Sequence, residues 1–339
     1  MKLASTHIRP RPGAIAAIVG IVAIAGALLS APMPSRAAAT FPDRPITLIT
    51  PYPPGGSLDA VGRPLAQMFE KATGQSMIIE NVGGAGGLIG ANKVAKAAAD
   101  GNTLLLASNG QVTIAPLVYK DMSYDPQTDL VPIVHLVDQT AVLYAGAKSP
   151  YKTFADVAAA ARNGQEPLQF ASTGTGSISH LALELLAQKM GVRFTHVPYR
   201  GAAPALQDLA GGQVPLLFTF VGSAKPLTQS GMVRPLAVAA TQRLASLPDV
   251  PTFAELGYPD VQASVWIGLM APKGTPADRI GKLSTIVAGI LANPDFKKIM
   301  ADNNMETKGG SVAAFQAMMA ADARRWTDLA RTVDLASTR

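Results

Sequence analysis

The sequence predicts an α/β protein of two domains, each a mostly parallel sheet flanked by helices. Three observations carry this. A short aliphatic or β-branched run, a glycine-rich loop and an amphipathic helical stretch recur in that order, the pattern of βα units whose crossovers cover both faces of a parallel sheet. The chain has 339 residues, 48% of them hydrophobic and 15% charged, enough for two cores of ordinary size. Two apolar stretches, near Ala141 and near Val265, lie where the chain would pass between domains and return. The expected division is a signal segment over 1–39, one domain from 40–141 with 265–339, and a second from 142–264.

Residues 1–39 combine Lys2, Arg9 and Arg11 with an apolar core from Ala14 to Leu29 and the small residues Ala37-Ala38-Ala39, the three regions of a secretory signal. That core falls short of the roughly 20 residues a spanning helix needs, and Pro32 and Pro34 follow it, so cleavage is expected ahead of retention as an anchor. The mature chain then begins near Thr40, outside the cytoplasm.

Residues 46–50 read as a first strand, and Pro51-Tyr52-Pro53-Pro54-Gly55-Gly56-Ser57-Leu58-Asp59 as the loop that turns it into a helix striped by Val61, Leu65 and Met68. Asp59 sits in the first turn, where a carboxylate complements the positive helix end, and a helix start bared in this way attracts anions. A second unit follows: a strand at 76–80, the glycine loop 81–87, and a helix through Ile89, Val94 and Ala98. A third strand, 103–107, ends in Ser108-Asn109-Gly110. Residues 133–137 and 141–144 supply two more strands, and 154–161 a helix. After a strand at 168–171, Ser172-Thr173-Gly174-Thr175-Gly176-Ser177-Ile178-Ser179-His180 leads into a helix with Leu181, Leu185 and Met190, which repeats the logic of the first loop with hydroxyl caps. Strands at 193–197, 214–220 and 233–239 follow, with a helix over 202–210. The 265–270 strand crosses back, and helices at 276–291, 294–300 and 311–333 close the chain.

Several function classes are excluded or weakened. Lys and Arg exceed Asp and Glu by 29 − 23 = 6, but Lys2, Arg9, Arg11 and Arg36 lie in the first 39 residues with no acid among them, which leaves +2 and no basic, aromatic-rich footprint for nucleic acid. Gly84 and Gly86 are followed by Ile89 where a dinucleotide fingerprint needs glycine, and no phosphate-cradling loop with Gly-Lys-Ser/Thr occurs, so no nucleotide cofactor is expected. There is no cysteine, and His135, His180 and His196 lack the spacing of a zinc site, so no metal is expected. Ser177, Ser179 and His180 are the best case for a serine hydrolase, yet no Gly-x-Ser-x-Gly surrounds them and no catalytic residue is assigned. His135 and His196 read as strand residues with satisfied hydrogen bonds, and Trp266, Phe315, Met318 and Met319 as core. Arg200, beside Gly201 at a helix start, reads equally as a carboxylate clamp or a surface cation.

Taken together, Arg44-Pro45-Ile46, the Pro51–Asp59 loop, Glu80-Asn81, Gly84-Ala85-Gly86-Gly87, Asp100-Gly101-Asn102, Gly176-Ser177-Ile178-Ser179-His180-Leu181, Val197-Pro198-Tyr199-Arg200-Gly201, Leu247-Pro248-Asp249-Val250-Pro251-Thr252 and Trp266-Ile267-Gly268-Leu269 resemble the Bug family of extracytoplasmic solute receptors, the periplasmic binding proteins of tripartite tricarboxylate transporters. The resemblance runs in order through the whole mature chain. It implies the periplasmic-binding-protein architecture, a hinge and interdomain cleft that closes on a small organic acid, a monomer without enzymatic activity or cofactor, and membrane permease subunits as partners. Presentation to a membrane sensor kinase is the alternative output. The residues it implies at the ligand are Tyr52, Gly55, Gly56, Ser57 and Asp59 from one domain and Thr175, Gly176, Ser177 and His180 from the other, with Ser108, Tyr199 and Arg200 as secondary contacts. Thr219 stands where many similar receptors carry an aspartate for an amino-acid ammonium, which implies an acid without an amine.

Overall fold

The computed structural model describes residues 41–119 and 121–331; the expected signal segment and the last residues of the expected C-terminal helix lie outside them. Strand β1 (Ile46–Thr50) pairs in parallel with β2 (Met77–Asn81) and β3 (Thr103–Ser108). Ile46, Leu48 and Ile49 are all fully buried, because a parallel strand covered on both faces needs apolar side chains at successive positions. Helix α1 (Ser57–Thr73) crosses from β1 to β2 on a stripe of Leu58, Val61, Leu65 and Phe69, and ends at Gly74, whose φ of 72° lets its N–H reach the Glu70 carbonyl. Helix α2 (Leu88–Ala95) makes the next crossover and stops short of Ala98.

The two strands expected at 133–137 and 141–144 are one, β4 (Leu130–Gly146). His135, Asp138 and Gln139 interrupt the apolar run in sequence, but the ladder to β9 (Ser264–Pro272) carries the backbone through them, with register shifts at 132/134 and 135/137. From Leu130 to Thr140, β4 pairs with β9; from Ala141 to Gly146 it pairs with β7 (Leu216–Phe220) and β8 (Val233–Val238). β7 joins β5 (Leu168–Ser172), and β5 joins β6 (Phe194–Pro198), both in parallel. The sheet order is therefore β2-β1-β3-β9-β4-β7-β5-β6, two parallel sets joined by antiparallel β4 and β9, with the short β10 (Glu306–Thr307) on β4.

Helix α3 (Ala115–Val118) follows β3, α4 (Phe154–Asn163) precedes β5, and α5 (Ile178–Met190) and α6 (Ala202–Gly211) are the crossovers of the second set. Helix α7 (Val221–Gln229) is absent from the sequence reading; Gly222 and Pro226 argue against a helix locally, and burial of Val221 and Ala224 holds it. Helices α8 (Ala277–Ala292), α9 (Pro294–Asp302) and α10 (Val312–Ala330) complete the chain.

Four apolar clusters form, one on each face of each set of strands. Phe69, Leu104, Ile267 and Phe296 belong to one, and Ile49, Met270 and Phe315 to the opposite face. Phe170, Phe218 and Leu186 anchor the third, Tyr144, Leu217 and Leu209 the fourth. Helix α10 joins two of them: Phe315 and Met319 pack with the first set of strands, Trp326 and Leu329 with the second. Between these ends the Asp322 carboxylate accepts from Trp266 Nε1 (2.9 Å), Trp326 Nε1 (2.8 Å) and Thr113 Oγ1 (2.6 Å). Burial raises its pKa, against the pull of those donors.

Candidate functional site

The registers decide where the glycine loops meet. At its carboxyl end β3 reaches Ser108 opposite Ile267 of β9, which in turn faces Val137 of β4. β7 runs toward β4 from the other side, and its last residue, Phe220, faces Ala141. The carboxyl ends of both parallel sets thus point at the level where β4 changes partner, between Thr140 and Ala141. In α/β sheets the loops beyond the strands' carboxyl ends bind ligands, and here two such edges converge.

On the first edge, Gly55 and Gly56 are exposed and Ser57 half-buried at the start of α1. The helix has no side-chain cap at Gly56; instead the Asp59 carboxylate accepts from Gly55 N (3.1 Å) and Arg63 Nε (2.7 Å). Burial raises the Asp59 pKa, but the bonds from Arg63 and Gly55 outweigh it and the net shift is downward, so it stays ionised. Tyr52 is fixed by Asn81, which donates to its carbonyl (3.0 Å), and by its hydroxyl, which donates to Gly86 O (3.2 Å) and accepts from Gln111 Nε2 (2.6 Å).

Gln111 was not singled out by sequence, yet it organises this edge. Its Oε1 accepts from Ser108 N (3.0 Å) and Ser108 Oγ (2.9 Å), while Nε2 also reaches Gly86 O (3.2 Å). A Cβ on Gly87 would lie 2.5 Å from that nitrogen, so the second loop of this edge must be glycine there. The signal that would have found it is the π-type turn over Gly110–Ile114, a rare geometry that gathers at functional sites, but nothing in the residues themselves announces that turn.

On the second edge, Ser177 caps α5 by accepting from His180 N (3.3 Å) and donates to Gly174 O (2.6 Å). Gly176, with φ of 73°, packs so tightly that a Cβ would sit 3.0 Å from Val118 of α3. Residues 108–118 therefore touch both edges, Tyr52 through Gln111 and Gly176 through Val118.

The thirteen sequence candidates fall into two groups. Gly55, Gly56, Ser57, Tyr52, Thr175, Gly176, Ser177, Tyr199 and Arg200 are exposed or half-buried on the two edges. Asp59, Ser108, His180 and Thr219 are buried. Asp59 bonds to its own loop and Ser108 to Gln111; Thr219 Oγ1 is buried with no partner. The Tyr199 hydroxyl donates to Asp208 (2.7 Å), and burial, then Asp208, pushes its pKa up to about 12. Arg200 is exposed, with no ion pair among the described residues. His180 Nδ1 accepts from Gly176 N (3.2 Å), and its ring stacks on His196 at 3.9 Å between centroids. His196 Nε2 lies 2.6 Å from Ser172 Oγ, but Nδ1 is buried without a partner, so this histidine is not satisfied as expected.

The family model of the tripartite tricarboxylate transporter family receptor matches residues 61–335. The chain belongs to that receptor family. It is 38% identical over 260 residues to Protein BugT of Bordetella pertussis, covering 76% of this chain and 78% of that one. Among solved structures of such receptors, R. palustris Rpa4515 with adipate superposes with a TM-score of 0.81 at 36% identity, covering 86% of this chain and 98% of that one. MatC from Rhodopseudomonas palustris, with bound malate, gives 0.77 at 32%, covering 86% and 100%. The periplasmic binding protein BugD, with a TM-score of 0.77 at 34% identity over 86% of this chain and 98% of that one, gives the class of the fold as a periplasmic-binding-protein one, and among the described residues no helix is long and apolar enough to cross a membrane.

Proposed function

We propose that this receptor captures a small organic carboxylate between its two sets of strands and delivers it to membrane permease subunits from the periplasm. The observation that carries the reading is the convergence of two glycine-loop helix starts, α1 and α5, on one level of β4 from opposite directions. Each supplies first-turn amides that no helical carbonyl can satisfy, and a carboxylate accepting from a few of them gains roughly 1.5–3 kcal/mol per charge-assisted bond. Residues 40–141 with 265–339, and 142–264, then act as the two closing domains, hinged where β4 changes partner and where β9 returns. An open form engages only half of the amides, so the ligand stabilises the closed one through differential affinity.

Capture without turnover suits the hydroxyls. Ser177 Oγ donates to Gly174 O and Ser179 Oγ to Phe218 O, so neither proton faces a histidine. In the Ser172–His196 pair the hydroxyl belongs to a fully buried residue, and among the described residues no acid orients the imidazole. The receptor is proposed to act as a monomer with no enzymatic step.

For the acid, Thr219 and the orphaned hydroxyl it buries leave an ammonium without a paired carboxylate at the end of β7. A buried, unpaired ammonium costs several kcal/mol. The ligand is therefore an amine-free mono- or dicarboxylate. A thermal-shift screen of organic acids tests the class, since a ligand that binds only the folded state raises the melting temperature. Calorimetric titration of succinate against aspartate tests the choice. Succinate is expected to bind more tightly by about tenfold or more, about 1.4 kcal/mol, and tighter binding of aspartate would refute the amine-free assignment.

A further inference from the structure

Behind the second glycine loop lies a stacked pair of histidine rings, one buried and one half-buried, that the capture of an anion does not by itself require. His180, on α5, is fully buried, and its ring stacks on His196 of β6 with an interplanar angle of 8°. Each ring holds a different part of the same loop. His180 Nδ1 accepts the N–H of Gly176 at 3.2 Å. His196 Nε2 meets Ser172 Oγ at 2.6 Å, and that oxygen accepts the N–H of Gly174 at 3.1 Å. Since Nδ1 of His180 is an acceptor, the neutral ring carries its proton on Nε2, which faces Glu184 Oε1 at 3.5 Å. Glu184, from the same helix, and His196 are the titratable groups against this ring among the described residues. Of the other strands packed against α5, β5 brings Ser172, which meets His196, and β7 brings the Phe218 carbonyl, which accepts from Ser179.

We infer that His180 and His196 are positioning residues that must be neutral: they prop Gly174 and Gly176 in the geometry that presents the start of α5 to the ligand, and a proton taken by the pair releases the loop and weakens capture. The inference rests on the carboxylate reading of this loop. The chemistry has a definite sign. A proton on Nδ1 of His180 turns the acceptor of Gly176 N into a donor, so two N–H groups face each other across 3.2 Å. Gly176 cannot settle elsewhere, because Val118 packs against it and its φ of 73° is held by this contact set. A proton on His196 adds a donor that finds no partner, because its Nδ1 is already buried without one. Two charged rings stacked face to face would repel, so a proton on one ring disfavours a second on the other. Burial, followed by the neighbouring His180 ring, holds His196 down at about 4, in keeping with a neutral resting pair. A direct ligand cation would behave in the opposite way, since a protonated imidazole draws a carboxylate in.

The test follows the Gly174 and Gly176 amides and the histidine rings by NMR in the full chain without ligand, and the affinity for adipate by calorimetry, from about pH 8, where histidine is neutral, down through the value of about 4 to which burial holds His196. The two glycine amides are expected to shift as the rings take up a proton, and adipate affinity to fall by about tenfold beyond the fall of a variant whose rings cannot charge, the worth of one lost amide bond. That variant carries His180→Asn and His196→Gln, which keep an amide where Nδ1 and Nε2 stood; comparing it with the parent at each pH cancels the protonation of adipate itself. Glycine amides that stay still while the rings titrate, or an affinity that falls no further in the parent than in the variant, would overturn the inference. If adipate binds at no pH, the amides still decide the role of the histidines, and the failure falls on the carboxylate reading. If the variant does not fold, the parent's amide and ring titrations carry the decision.

Discussion

The two helix starts that face each other across β4 reach the same end by different means. At α1 the loop is exposed, Gly55 and Gly56 have open space around them, and the cap is a carboxylate, Asp59, tied to Gly55 N and Arg63. At α5 the loop is half-buried, the cap is the neutral hydroxyl of Ser177, and the glycines lean on Val118 and on two imidazoles. One edge is open and carries its own anion; the other is crowded and capped by a neutral hydroxyl. Tolerance of the first and intolerance of the second to small changes follow directly.

The largest effect is expected at the crowded glycine. Gly176→Ala adds a Cβ 3.0 Å from Val118 at a φ of 73°, and strain of about 1–2 kcal/mol with overpacking of similar size should weaken carboxylate binding by roughly 100-fold. Gly56→Ala, in extended backbone with nothing nearby, should cost less than about twofold by the same tenfold-per-1.4 kcal/mol scale. Equal losses in calorimetric titrations would erase the contrast.

Next is the cap. Ser177→Ala removes the acceptor for His180 N and the donor to Gly174 O, and chemical denaturation should show a loss of about 1 kcal/mol. Gly56→Ser supplies α1 with the side-chain cap it lacks and should gain a few tenths of a kcal/mol, with no loss of binding. A stabilisation of α1 as large as the loss at α5 would erase the difference between the two caps.

The smallest effect separates the two edges by pH. The Asp59 pKa is lowered in the folded state, so its contribution is present above the ordinary carboxylate value and is lost as the pH falls through the lower folded one. Because Arg63 is largely exposed, the i, i+4 pair contributes only about 0.3–0.5 kcal/mol. Melting of the parent against Asp59→Asn should show that gap at neutral pH, shrinking as the pH falls below the ordinary carboxylate value.

Much of this architecture is written locally. Ile46 to Thr50, the Pro-Gly-Gly loop and the Val61–Leu65 stripe each declare strand, turn and helix through their own periodicity, and so do the matching parts around Gly176. What is not local was not legible. β4 reads as two strands because Asp138, Gln139 and Thr140 look like a break, and only β9, more than a hundred residues away, carries the ladder across them. Gln111 has no distinguishing neighbours in sequence; its role comes from Tyr52 and Gly86, brought to it by the sheet. Ser172 and His196 lie 24 residues apart and meet only because β5 and β6 pair in register. The loops' positions were therefore readable and the supports behind them were not.

Helix α10 bears on the order in which the chain can become a protein. Phe315 and Met319 complete a cluster begun by Ile49 and Leu105, while Trp326 and Leu329 complete one begun by Phe170 and Phe218. Both cores wait for the same last stretch of chain, and the Asp322 knot to Thr113 and Trp266 closes only with it. Contacts of such wide sequence separation are formed late, after their loop-closure entropy has been met. A nascent chain that has released residues 41–264 but not 312–330 thus still exposes apolar faces on both sets of strands.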